Sequence, residues 1–196
     1  MEYRTLPRGG ERISVIGLGG GYIGEGGEKE TRQALELAVS RGVNYFDLAM
    51  SEAVPFAAYG ETLRDQRKDI YYQLHFGAEY TTGKYGWTLN LEKIKKSVDW
   101  QLAMLKTDYI DFGFVHCIDE EADLRKAAEG GTLDYMKELK EEGVIRHLAL
   151  SSHTPKIVNM MLDTGLIDMV MFSINPAYDY RHGDYAVGTV DERTAL

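Results

Sequence analysis

The chain has 196 residues, 44% of them hydrophobic and 27% charged, and 31 acidic against 22 basic side chains give a formal net charge of −9. That balance argues against a nucleic acid or an anionic membrane surface as partner, since both need clustered Lys and Arg, and the apolar runs fall well short of the ~18 residues of a membrane span. Cys117 is the only cysteine, which excludes an internal disulfide and a CxxC metal site; with no apolar leader at the N-terminus, a reducing, cytoplasmic setting is expected.

The chain opens as a hairpin, with strands over 2–6 and 12–18 joined by the turn Pro7-Arg8-Gly9-Gly10, and Gly19-Gly20-Gly21 stops the second strand. Ala34, Leu37, Ala38 and Val39 mark a helix over 28–41 capped by Gly42. A strand over 44–48 follows, then a helical stretch ending near Arg67, a strand over 69–76 and a Gly/Tyr/Thr-rich loop over 77–87. Leu91, Ile94, Val98, Leu102 and Leu105 lie on one helical face. Next come a strand over 109–116, a helix over 133–142 ended by Gly143, and a strand over 145–151. Thr154-Pro155 has the form of an N-cap followed by Pro at the first helical position, opening a helix to about Asp163. A strand over 169–174 is the last, and residues 189–196 have the pattern of a capping box that opens a further helix.

Strand and helix alternate throughout, and the strands are apolar on both faces. This calls for a parallel sheet covered by helices, an α/β fold of the (β/α)8 barrel type. About six β/α units follow the hairpin where a closed barrel has eight, so a single incomplete barrel domain over 1–196, truncated after the sixth unit, is expected. The run Tyr45-Phe46-Asp47 ends in a carboxylate and the run 109–116 ends in His116, so both groups belong at the C-terminal rim, where such barrels assemble their sites.

Four segments, in order, resemble the aldo/keto reductases: Gly17-Leu18-Gly19-Gly20, Asn44 to Ala49, Asp108 to His116, and Gly143 to Ser151 with Ala149 in place of a glycine. Asp-Leu-Ala-Met at 47–50 is similar to the branch that carries a C-terminal ferredoxin-like domain. The resemblance implies an NAD(P)-linked oxidoreductase acting on a small carbonyl or alcohol. It also implies a catalytic group of aspartate, tyrosine, lysine and histidine. Asp47 and His116 match two of these, Glu52 stands at the tyrosine position, and His75 stands where the lysine belongs. Glu52 is therefore the candidate acid, with Tyr59 as the fallback, and His75 as imidazolium would partly replace the lysine charge. Asp47, Glu52, His75 and His116 are expected to converge at one rim.

The candidate cofactor contacts for NADP or NAD are Gly20, Gly21, Asp47, Ser151 and Ser152, with Met171 at the position of a family glutamine. The glycine run lacks the GxGxxG spacing and is read as a tight strand-end turn. Two other functions stay open: a catalytically inactive, ligand-binding or partner-completed remnant of the same fold, and a metal-assisted lyase or hydrolase using His75, His116 and His153. Open edges on an incomplete barrel favour a homo-oligomer.

Overall fold

The computed structural model describes residues 1–173. An antiparallel hairpin, β1 (Tyr3–Thr5) and β2 (Arg12–Ser14), precedes the sheet. Then follow β3 (Leu18–Gly19), α1 (Gly27–Ser40), β4 (Tyr45–Asp47), α2 (Val54–Thr62), β5 (Tyr71–Phe76), a two-stranded ribbon of β6 (Ala78–Glu79) and β7 (Gly86–Trp87), and α3 (Leu91–Leu105). The chain continues through β8 (Ile110–Val115), α4 (Glu121–Glu129), α5 (Thr132–Glu141), β9 (Ile145–Ser151), α6 (Pro155–Asp163) and β10 (Met169–Met171). Six parallel strands run side by side in chain order, β3-β4-β5-β8-β9-β10. This is the expected α/β architecture: a curled half-barrel sheet with helices outside.

Alternation along each strand sorts side chains between two apolar layers. Phe46, Tyr72 and Leu74 join the larger core beneath the helices, where Phe46 and Tyr72 pack on Tyr59 of α2. Tyr45, Tyr71, Phe112, Phe114, Ala149 and Met169 form a smaller cluster on the concave face. The curl is tight enough that the Tyr45 hydroxyl reaches Met169 Sδ, 3.9 Å away, from β4 to β10. The hairpin also spans that face at its lower end. Asn44 holds it by accepting from Ser14 N at 2.8 Å and donating to Arg12 O at 3.0 Å. At its far side Arg8 meets Asp168 at 3.1 Å, just before β10, and Glu11 meets His147 of β9 at 2.8 Å.

Several local expectations are corrected. The second hairpin strand ends at Ser14 rather than continuing to residue 18, because the Ser14 hydroxyl donates to Ile16 O and turns the chain into β3. In α1 the buried positions are Thr31 and Leu35, one turn apart, while Leu37 points outward and is 58% exposed. The 77–87 loop carries the β6–β7 ribbon, and α4 covers residues 121–129, where no helix was expected. The Thr154 side chain makes no cap bond; its carbonyl instead starts α6 by accepting from Ile157 N. β10 ends at Met171, and the expectations for residues 174–196 lie outside the described residues.

Candidate active site

Asp47 closes β4, His75 is the fifth residue of β5, and His116 follows β8. All three share the concave parity of their strands and meet at the C-terminal rim. His75 Nε2 lies 2.7 Å from Asp47 Oδ1. His75 Nδ1 lies 2.8 Å from His116 Nδ1. The Nδ1–Nδ1 contact needs a single proton between the two rings. In the arrangement where His75 Nε2–H donates to the Asp47 carboxylate and His75 Nδ1 accepts, His116 carries its proton on Nδ1 and presents a bare Nε2. Burial, followed by the neighbouring His75, pushes His116 down to about 3, which keeps it neutral.

Further groups fix these three. The Gln73 amide nitrogen donates to Met171 Sδ at 3.1 Å and its oxygen accepts from the Tyr45 hydroxyl; the nitrogen also lies 3.0 Å from His75 Nε2, which it does not bond while that nitrogen carries the proton given to Asp47. Gly77 takes φ +125° directly after β5, and a side chain there would crowd His116 Cβ and the Thr88 carbonyl at 3.2 Å. A glycine is therefore needed to let the β6–β7 ribbon fold back over the rim. From that ribbon Tyr85 Oη lies 2.9 Å from His116 Nε2, and Trp87 Nε1–H donates to the His116 carbonyl at 3.0 Å.

The expected catalytic residues therefore divide. Asp47, His75 and His116 are joined by hydrogen bonds. Glu52 is half-buried on the loop after β4, pairs its backbone with Lys84, and its carboxylate takes no part in the network. Tyr59 is fully buried on α2, beneath the sheet and away from the rim, and its hydroxyl has no partner among the described residues. Tyr85, Gln73 and Tyr45 were not singled out from the sequence.

On the cofactor side, Gly20 is a packing requirement, since a Cβ there would lie 2.8 Å from the Asp47 carbonyl oxygen; one at Gly21 would meet nothing within 4 Å. The Ser152 hydroxyl is engaged with Asp119 at 3.3 Å, and His153 holds that carboxylate through Nδ1 at 2.9 Å. Burial works to raise Asp119, but the His153 contacts outweigh it and hold its carboxyl below the usual range. Among the described residues the Ser151 hydroxyl contacts the Cys117 thiol, at 3.8 Å. Gly19, Tyr45, Asp47, Gln73 and Met171 line a cleft of about 560 Å³. Among the described residues no three His, Cys, Asp or Glu side chains are arranged to hold a metal ion, so the metal-assisted reading has no ligand set there. No helix among them is long and apolar enough to cross a membrane.

A family model described as the aldo/keto reductase family matches residues 15–178. The oxidoreductase YqkF of Bacillus subtilis is 30% identical over 181 residues, covering 89% of this chain and 56% of the relative. The L-galactose dehydrogenase of Arabidopsis thaliana is 26% identical over 186 residues, covering 87% of this chain and 56% of the relative. Among solved structures, the holo form of aldo-keto reductase AKR11C1 from Bacillus halodurans superposes with a TM-score of 0.76 at 26% identity, covering 89% of this chain and 58% of that one. The chain thus spans about half the length of the curated relatives it matches.

Proposed function

The chain belongs to the aldo/keto reductase family, and on that premise we propose that it is an NAD(P)-linked oxidoreductase that interconverts a small carbonyl compound and its alcohol at the Asp47–His75–His116 rim. The observation that carries the proposal is the continuous contact from Asp47 Oδ1 through His75 to His116, at 2.7 and 2.8 Å. A buried imidazole pair anchored on a carboxylate can move a proton without leaving an unpaired charge in the interior. Family sites use a lysine where His75 stands; here the His75–Asp47 pair fills that place with a group that both takes and gives a proton.

The residues present fit the nicotinamide end of the cofactor. Ser151 offers a hydroxyl at the end of β9 for its carboxamide, held among the described residues by the long Cys117 contact, Ser152 adds a hydroxyl already oriented by Asp119, and the cleft beside Asp47 has room for a ring. When bound, a nicotinamide supplies or takes the hydride at the substrate carbon. Glu52 remains the rival acid, because it occupies the family tyrosine position. A cytoplasmic setting and self-association through edges β3 and β10 belong to the same proposal. Trp87, bonded to the His116 carbonyl, is a fluorophore at the rim. Titrating NADH or NADPH should therefore quench tryptophan emission saturably. A flat titration with both would favour the inactive remnant instead.

A further inference from the structure

The rim holds a tyrosine, but on a different segment from the family pattern. Tyr85 N–H donates to Ser51 O, and Ala53 N–H donates to Gly83 O, both at 2.9 Å, while Glu52 bridges to Lys84 between them. The 83–85 segment therefore runs antiparallel beside 51–53, and Tyr85 lies next to the position from which the family tyrosine is missing. Its ring stands edge-on to the His116 ring, with centroids 5.7 Å apart and planes at 83°, and its hydroxyl is 2.9 Å from His116 Nε2. Tyr85 is 41% exposed, so one side of the phenol faces solvent while the other is bonded inward.

With His75 donating to Asp47 through Nε2 and accepting at Nδ1, His116 Nε2 is left as an acceptor. Tyr85 therefore donates to it, and every bond in the chain Tyr85 → His116 → His75 → Asp47 points the same way. Building on the reductase reading, we propose that Tyr85 is the catalytic residue that exchanges a proton with the substrate oxygen, with His116 and His75 relaying that proton to Asp47. In the alcohol-to-carbonyl direction the substrate O–H bond breaks and its proton joins the Tyr85 oxygen. The electron pair of that bond stays on the substrate oxygen and becomes the carbonyl π bond as the hydride leaves for the nicotinamide. In concert the Tyr85 proton moves to His116 Nε2, the His116 Nδ1 proton to His75 Nδ1, and the His75 Nε2 proton to the Asp47 carboxylate. Carbonyl reduction runs the same transfers backwards, starting from the form in which Asp47 has taken up a proton from solvent, and no further oxidant or reductant is needed.

The test uses the full 196-residue chain and its Tyr85→Phe variant, a surface substitution that keeps the ring. Side-chain ¹⁵N resonances of uniformly labelled protein, without cofactor, report the relay. His116 should appear as the Nδ1–H tautomer, and its Nε2 signal should move in Tyr85→Phe. Unchanged His116 resonances would overturn the relay. Turnover of reduced nicotinamide with 4-nitrobenzaldehyde reports the chemistry. Tyr85→Phe should lower kcat by about 10²–10⁴-fold, the range for a lost general acid, with KM within a few-fold. An active native chain whose Tyr85→Phe variant keeps its kcat while Glu52→Gln loses it would overturn the proposal and leave the reductase reading standing. Absence of turnover by the native chain would remove the reductase reading, and the catalytic role of Tyr85 with it.

Discussion

His75 lies two residues beyond Gln73, the strand partner of Asp47, yet its Nε2 comes within 2.7 Å of Asp47 Oδ1. In a flat sheet that diagonal spacing is roughly 7–8 Å between backbone positions. The length of the imidazole closes that gap. His116, from the next strand, meets the same ring at its other nitrogen.

Buried neutral histidine makes stability depend on pH. His116 is pushed down to about 3, so the folded chain resists protonation there while the unfolded chain takes a proton below about 6.5. Stability therefore falls as pH drops through the window from about 6.5 to about 3. Between pH 7 and pH 5 the loss should be about 2 kcal/mol. Carboxylates such as Asp119 and Asp168, held below their usual range, titrate at lower pH. Urea titrations at the two pH values should show this loss in the native chain and a smaller one in His116→Gln. Equal losses would place the pH sensitivity elsewhere.

Tyr59 offers a test of the division between core and site. Its hydroxyl is buried with no hydrogen-bond partner among the described residues, so burial costs it solvation without return. Tyr59→Phe should leave stability unchanged or raise it by up to about 1 kcal/mol. A loss of more than about 1 kcal/mol in urea denaturation would reveal an unrecognised partner.

At the far end of the strands from the site, Asp111 is wholly buried and accepts from Arg67 at 3.0 Å, Arg146 at 2.9 Å and Tyr72 N at 2.9 Å. Burial raises its carboxyl pKa against the pull of both guanidiniums. Asp111→Ala strands the enclosed Arg67 charge and should cost about 3–5 kcal/mol. Denaturation showing less than about 1 kcal/mol would mean that water reaches this end of the sheet.

Much of this was legible in the sequence. β9 spans the expected residues, since an apolar run between Gly143 and the Ser-Ser pair admits few boundaries. Asp47 and His116 were visible because each ends a largely apolar strand. The β6–β7 ribbon was not, because strands of two residues carry no period to detect, and its placement depends on Gly77 and on backbone bonds to residues 51–53. Tyr85 was missed with it. The outward turn of Leu37 was hidden because Ala34, Ala38 and Val39 blur which stripe of α1 faces inward.

The central claim is hydride exchange supported by the Asp47–His75–His116 cluster, and the absorbance of reduced nicotinamide tests it most directly. The native chain and Asp47→Asn are incubated in parallel with NADPH or NADH and 4-nitrobenzaldehyde. The native chain should oxidise at least one of the two cofactors, and Asp47→Asn should do so at least about 10²-fold more slowly. Cofactor oxidation at equal rates in the two proteins, or by neither, would contradict the account.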